Sequence, residues 1–176
     1  MFPRTGAGPI GLLAALLARQ RGLEVDVLDR ASTGPKPELV RSLGATYHHS
    51  SVAAAVGEGV DIIVEATGAD AVVLDSLGQT RPGGIVCLTG LSSGGRTIPV
   101  DAGALNRGLV LENDVVFGSV NANRRHYEAA ATALSEADHA WLDGLITRRV
   151  PLSSWPEALE HRDEDIKVVI DFAAGR

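Results

Sequence analysis

Apolar and polar positions follow a regular rhythm through the first half of the chain. Residues 10–18 are apolar at helical spacing, which predicts a helix over about 9–21, closed by the cations Arg19 and Arg21 and by Gly22. Residues 23–29 predict a short apolar strand ending in an acid, and 31–36, with Ser32, Gly34 and Pro35, predict a loop. A helix over about 37–43 ends at Gly44, residues 45–48 form a short third strand, and Ser50 or Ser51 caps a helix over 52–56. The apolar run 61–66 has the length of a buried strand. Residues 70–77 are helical, Arg81-Pro82-Gly83-Gly84 predicts a turn, and 85–89 a fifth strand. Strands and helices alternate with short connections, the pattern of an α/β protein built on a doubly wound parallel sheet.

The second half is less regular. Residues 92–96 form a Ser/Gly loop, 101–112 a helix and 115–120 a strand. Asn121 or Asn123 caps a long helix whose Tyr127, Ala130, Ala131 and Leu134 are expected to point inward. A short helix over 140–145 leads into extended chain at 146–150. Ser153 and Ser154 precede a helix through Leu159, and 166–172 predict a closing strand that suits a sheet edge.

The first predicted helix opens on Gly6-Ala7-Gly8-Pro9-Ile10-Gly11, the G-x-G-x-x-G turn that seats a dinucleotide pyrophosphate. Gly6 permits a tight turn, Gly8 lets backbone approach phosphate, and Gly11 allows close packing of the helix. The N–H groups and positive dipole end at the helix start attract an anion, and Pro9 suits the first helical turn. Asp29 closes the next strand, eighteen positions after Gly11, where a ribose 2′-OH acceptor is expected. It also suits a solvated carboxylate. The expected fold is thus a Rossmann domain. Its entry is unusual: only residues 1–5 precede the turn, and Pro3 cannot donate to a ladder. The first strand is expected to be truncated or absent.

Composition narrows the class. The chain has 176 residues, one domain's worth, with 45% hydrophobic but only 4% aromatic residues, so the core must be aliphatic. A net charge of −6 without a basic stripe argues against nucleic acid. No segment reads as a membrane span. The single Cys87 rules out an internal disulfide and points to a reducing cytoplasm. The histidines offer no zinc spacing: His48 and His49 are adjacent, and His126, His139 and His161 lie among polar residues. No nucleophile elbow, paired-carboxylate site or P-loop lysine is present.

These residues resemble the medium-chain, zinc-dependent alcohol dehydrogenase superfamily, in its glucose 1-dehydrogenase branch. The superfamily likeness lies in Gly6–Gly11, Glu65-Ala66-Thr67-Gly68 and Pro82-Gly83-Gly84. The branch likeness lies in Ala45-Thr46-Tyr47, Val100-Asp101, Phe117-Gly118-Ser119-Val120-Asn121, His126-Tyr127-Glu128-Ala129-Ala130 and Asp165-Ile166-Lys167. The resemblance covers the coenzyme half of such an enzyme. It implies that residues 1–176 are an NAD(P)-binding domain with 101–176 as its second half, and that the zinc-bearing catalytic domain is absent.

The resemblance also implies site roles. Gly6, Gly8, Pro9, Ile10 and Gly11 would hold pyrophosphate, and Asp29, Arg30 and Ala31 would meet the adenosine ribose. Thr89, Gly90, Leu91, Ser119 and Val120 would line the nicotinamide end. Asn121 would reach both coenzyme and sugar, and Lys167 would contact the coenzyme. Asn121 also suits a helix cap, and Lys167 a surface lysine on an edge strand. NAD is the expected coenzyme, since Asp29 would repel a 2′-phosphate; Arg30 offsets this, so NADP stays open. Zinc is expected only in the catalytic half. The implied reaction moves hydride from an aldose C1 to nicotinamide, with sugar bound only when a catalytic half is present. The chain alone shows no catalytic acid, base or metal and is expected to be silent. A stand-alone dinucleotide-binding or sensing module is the alternative, and self-association is left open. Adenosylmethionine also suits a glycine turn with a strand-end acid, but the third glycine and the 65–68 strand end argue against it.

Overall fold

The computed structural model describes residues 2–95 and 97–173, with side chains from residue 6 onward. Met1, Arg96 (the last residue of the expected 92–96 loop) and residues 174–176 lie outside the described residues.

The chain runs β1 (Phe2–Thr5), α1 (Pro9–Gln20), β2 (Val25–Leu28), α2 (Pro35–Ser42), β3 (Thr46–His48), α3 (Val52–Val56), β4 (Val60–Glu65), α4 (Asp70–Ser76) and β5 (Thr80–Leu88). It continues through α5 (Ala102–Glu112), β6 (Val115–Gly118), α6 (Arg124–Ser135), α7 (His139–Gly144), β7 (Ile146–Pro151), a 3-10 helix (Leu152–Leu159) and β8 (Lys167–Asp171). Six strands form one sheet in the order β3-β2-β1-β4-β5-β6, with every neighbouring pair parallel. This is the doubly wound order, with its switch point between β1 and β4.

β1 is short, and it is central. Its four residues pair with Val25–Leu28 of β2, and Arg4 and Thr5 also pair with Val64 and Glu65 of β4. Pro3 stands opposite Asp26. This short strand still delivers the glycine turn to the switch point.

The core is largely aliphatic on both faces. Leu12, Ala15 and Leu16 of α1 pack with Val25 and Val27 of β2, Val40 of α2, and Trp141, Leu145 and Ile166 from the second half. On the other face Leu28, Val52, Val56, Val60, Ile63 and Val86 form a second cluster. The Trp141 indole N–H donates to the Leu39 carbonyl at 2.9 Å, tying α7 to α2.

Three expectations need correction. The Arg81–Gly84 turn lies inside β5: the register steps from Val60↔Thr80 to Ile62↔Ile85, so the Pro/Gly run bulges out without ending the strand. Asp114 pins this bulge, accepting from the Gly84 N–H at 3.0 Å and the Thr80 hydroxyl at 3.2 Å. Next, α6 buries none of its residues, and Tyr127 and Leu134 are exposed. Helical spacing shows that a helix is two-faced, not that something covers the apolar face. The closing strand, finally, does not join the main sheet's edge: β7 and β8 pair in parallel in a sheet of their own. Arg148 secures that unit by donating to the carbonyls of Glu157 and Glu160 and to the Asp165 carboxylate.

Candidate coenzyme site

Four strand ends converge at the switch point. A cleft of about 420 Å³ is lined by Gly6 and Gly8 after β1, Asp29, Arg30 and Lys36 after β2, Ser50 after β3, and Thr67, Ala69 and Val72 after β4.

The glycines divide the work of the turn. Gly6 has φ +97, and a side chain there would meet the Thr67 methyl at 2.9 Å. A Cβ on Gly11 would lie 1.7 Å from the Gly6 carbonyl oxygen, so the first turn of α1 closes directly on the loop before it. A Cβ on Gly8 would meet nothing within 4 Å. Its open side is the cleft, as a backbone that receives phosphate requires. Gly8 is also the N-cap of α1; no side chain caps the helix and its first turn carries no acid, leaving the positive end for an anion. Pro9 is the first helical residue and Ile10 is exposed beside it.

Asp29 is held from several directions. Its Oδ2 accepts the Ala7 N–H at 2.7 Å, and its Oδ1 accepts the Ala31 N–H at 3.1 Å and lies 3.5 Å from the Lys36 ammonium. The Tyr47 hydroxyl donates to the Ala31 carbonyl at 2.5 Å. Burial, and then the nearby Asp29 carboxylate, push that hydroxyl's pKa up to about 12, so it stays a donor through the neutral range. Tyr47 and Lys36 are thus partners of the Asp29–Ala31 segment that strand and helix periodicity did not reveal. Behind them, His48 Nε2 lies 2.7 Å from Oδ1 of the buried Asp26, pairing β3 with β2.

The residues expected at the nicotinamide end fall on neighbouring strand ends. The Thr89 hydroxyl and N–H both donate to the Glu65 carbonyl at 2.8 Å, and the Gly90 N–H joins them at 3.1 Å. A Cβ on Gly68 would lie 2.3 Å from the Leu91 carbonyl oxygen, and one on Gly90 would lie 2.1 Å from the Gly68 nitrogen. The loops after β4 and β5 therefore touch backbone to backbone. The buried Glu65 carboxylate holds the first of them, accepting from the Thr67 N–H at 2.7 Å, the Thr67 hydroxyl at 2.5 Å and the Gly68 N–H at 3.1 Å. The Ser119 N–H donates to the Leu88 carbonyl at 2.9 Å, bringing the end of β6 alongside.

Other sequence-chosen residues lie further out. Leu91, Val120 and Asn121 are exposed, and Asn123, not Asn121, caps α6. Lys167 opens β8 in the separate two-stranded sheet and is not among the residues lining the cleft. Among the described residues no group of three His, Cys, Asp or Glu side chains is arranged to hold a metal ion. No helix among them is long and apolar enough to cross a membrane.

Residues 4–172 match the family model described as glucose dehydrogenase C-terminus. The chain belongs to that family. It is 38% identical over 179 residues to glucose 1-dehydrogenase of Methanocella arvoryzae, covering 96% of this chain and 50% of that protein. It is 40% identical over 178 residues to glucose 1-dehydrogenase 2 of Vulcanisaeta moutnovskia, covering 97% and 51%. The Haloferax mediterranei glucose dehydrogenase in complex with NADP, zinc and gluconolactone superposes with a TM-score of 0.89 at 31% identity, over 98% of this chain and 50% of that one. An alcohol dehydrogenase of Thermotoga maritima superposes with a TM-score of 0.82 at 27% identity, over 96% and 49%. The chain spans about half the length of the curated relatives it matches. The expected branch of the zinc-dependent alcohol dehydrogenase superfamily, and the Rossmann fold with a short first strand, are both confirmed.

Proposed function

We propose that residues 1–176 are the coenzyme-binding domain of an NAD(P)-dependent aldose 1-dehydrogenase, with 101–176 as the domain's second half. The observation that carries this is the cleft at the switch point, where an uncapped helix start and an open Gly8 face the strand-end acid Asp29. Gly6, Gly8 and the start of α1 would receive the pyrophosphate, and Asp29, Arg30 and Ala31 the adenosine ribose. Thr89, Gly90, Leu91, Ser119 and Val120 would border the nicotinamide. Asn121 and Lys167, both exposed, would meet coenzyme or sugar when the remainder of such an enzyme is in place.

When bound, the dinucleotide supplies the hydride acceptor for oxidation of a sugar C1 to a lactone. This chain's part is to bind and orient. Glu65 fixes the two loops at the nicotinamide end, and the dipole of α1 balances the pyrophosphate charge. Activation of the sugar hydroxyl would fall to zinc in a catalytic half, the metal that the Haloferax complex contains. The domain by itself would be catalytically silent and would work in the cytoplasm. Self-association also fits: among the described residues β6 pairs only with β5, and Val115, Val116 and Phe117 are exposed along it.

Fluorescence titration with NADH, NADPH and adenosylmethionine tests the reading. Saturable binding of a reduced nicotinamide coenzyme is expected. Binding of adenosylmethionine with no response to either coenzyme would refute it.

A further inference from the structure

We propose that the buried carboxylate of Glu65 biases the nicotinamide end of this domain towards the oxidised coenzyme; this rests on the dinucleotide reading above and goes beyond the loop-holding part given to Glu65 there. The oxidised nicotinamide ring carries one positive charge and the reduced ring carries none, so a fixed negative charge nearby favours the first over the second. Glu65 ends β4 and is fully buried. Its Oε1 accepts the Thr67 N–H at 2.7 Å, the Thr67 hydroxyl at 2.5 Å and the Gly68 N–H at 3.1 Å. Its Oε2 faces the loop after β5: a Cβ on Gly90 would lie 2.6 Å from it.

With no side chain on Gly90, the carboxylate lies directly against the backbone of a residue expected to border the ring. Its neighbours in that border, Thr89, Leu91, Ser119 and Val120, are all uncharged. The cations lining the cleft, Arg30 and Lys36, stand at its other end after β2, where Lys36 is paired with Asp29. Thr67 and Gly68 satisfy the Glu65 lone pairs with dipoles, not with a full charge. Away from water a charge is screened less than at the surface, and Coulomb attraction falls only with the first power of distance. Glu65 can thus act on a ring beyond Gly90 without touching it. A bias towards the oxidised ring suits oxidation of a sugar, because the domain then takes up the hydride acceptor and lets the reduced product go.

The test is calorimetric titration of the purified protein with NAD, NADH and ADP-ribose, which lacks the nicotinamide and so measures any loss common to all three. Glu65→Gln removes the charge while leaving an oxygen at the Oε1 position for its three donors. It should weaken NAD at least threefold relative to NADH, and NADP relative to NADPH by the same factor, since the rings are the same. Glu65→Asp, which keeps the charge, should hold the NAD-to-NADH ratio within about twofold of wild type. A smaller relative loss of NAD in Glu65→Gln, or a loss shared equally by NAD, NADH and ADP-ribose, would make Glu65 an anchor of the loops only; it would overturn the proposal and leave dinucleotide binding intact. A ratio displaced as far by Glu65→Asp as by Glu65→Gln would overturn it too. A wild type that binds none of the three would remove the underlying reading and this proposal with it. Should Glu65→Gln fail to fold, the wild type decides: NAD should bind within about tenfold of NADH, and a wider gap in favour of NADH would overturn the proposal.

Discussion

Gly8 and Gly11 stand three residues apart in one turn, and adding a single methyl to each should have opposite consequences. A Cβ on Gly11 would sit 1.7 Å from the Gly6 carbonyl oxygen, whereas ordinary contact begins near 3.4 Å. The helix start or the loop would have to give by about 1.7 Å. Both are anchored: the Gly6 N–H donates to the Leu28 carbonyl at 2.6 Å, and Leu12 and Ala15 of α1 are fully buried. Overpacking usually costs about 1–3 kcal/mol and occasionally more, and this clash belongs at the upper end. For a domain of this size 1 kcal/mol moves Tm by roughly 2–4 °C, so Gly11→Ala should lower Tm by about 6–12 °C or prevent folding. Gly8 has an ordinary extended backbone, φ −79 and ψ −178, and open space around its Cβ. Gly8→Ala should therefore melt within about 2 °C of wild type. Its methyl would stand where pyrophosphate must approach, at a similar cost of about 1–3 kcal/mol, or roughly 5–150-fold in NADH affinity. Gly8→Val should abolish binding. Thermal melts by circular dichroism, with NADH titration of each folded variant, give both readings. A Gly8→Ala protein with wild-type NADH affinity would mean that the dinucleotide does not cross Gly8, and an unchanged Tm for Gly11→Ala would refute the packing argument.

Three further outcomes follow from other parts of the molecule. Glu65→Leu leaves the Thr67 and Gly68 N–H groups without their carboxylate, at about 1–3 kcal/mol for each buried donor, so Tm should fall on the order of 10 °C; a loss under 2 °C would show that the loop holds itself. β1 pairs with β4 only at Arg4 and Thr5, so about five Val/Ile/Leu-rich residues in place of residues 1–5 should raise Tm by several degrees, and equal melting points would show the short strand suffices. The Arg148 guanidinium, by hydrogen bonding, holds the Asp165 carboxyl below the usual range. A depressed native pKa contributes stability above the unfolded value of about 3.9, lost as pH falls through the lower native pKa. The wild type should thus lose more stability than Arg148→Met below about pH 4, and superimposable denaturation profiles from pH 7 to 2 would discount the pair.

What could be read along the chain was whatever depends on neighbours in sequence. The apolar run after Gly6-Ala7-Gly8-Pro9-Ile10-Gly11 specified α1 and its glycine entry, because backbone freedom and helical spacing are local properties. The strand-end position of Asp29, the Ser51 cap of α3 and the aliphatic core were equally local. Family motifs carried the rest of the identification.

Tertiary structure decided everything that required knowing what lies across a gap. Whether Tyr127 and Leu134 would be covered depends on what packs over α6, and periodicity is silent on that. Arg81-Pro82-Gly83-Gly84 carries the signals of a turn, yet the parallel pairing of β4 with β5 resumes beyond it, so long-range hydrogen bonds made it a bulge. Residues 166–172 have a strand pattern that fits many sheets, and only the partner β7 distinguishes one sheet from another. At the site, Asp29 was visible as an acid at a strand end. That its charge is shared with Ala7, Ala31 and Lys36 was not, because Ala7 lies twenty-two residues away in sequence and meets Asp29 only when β1 and β2 lie side by side.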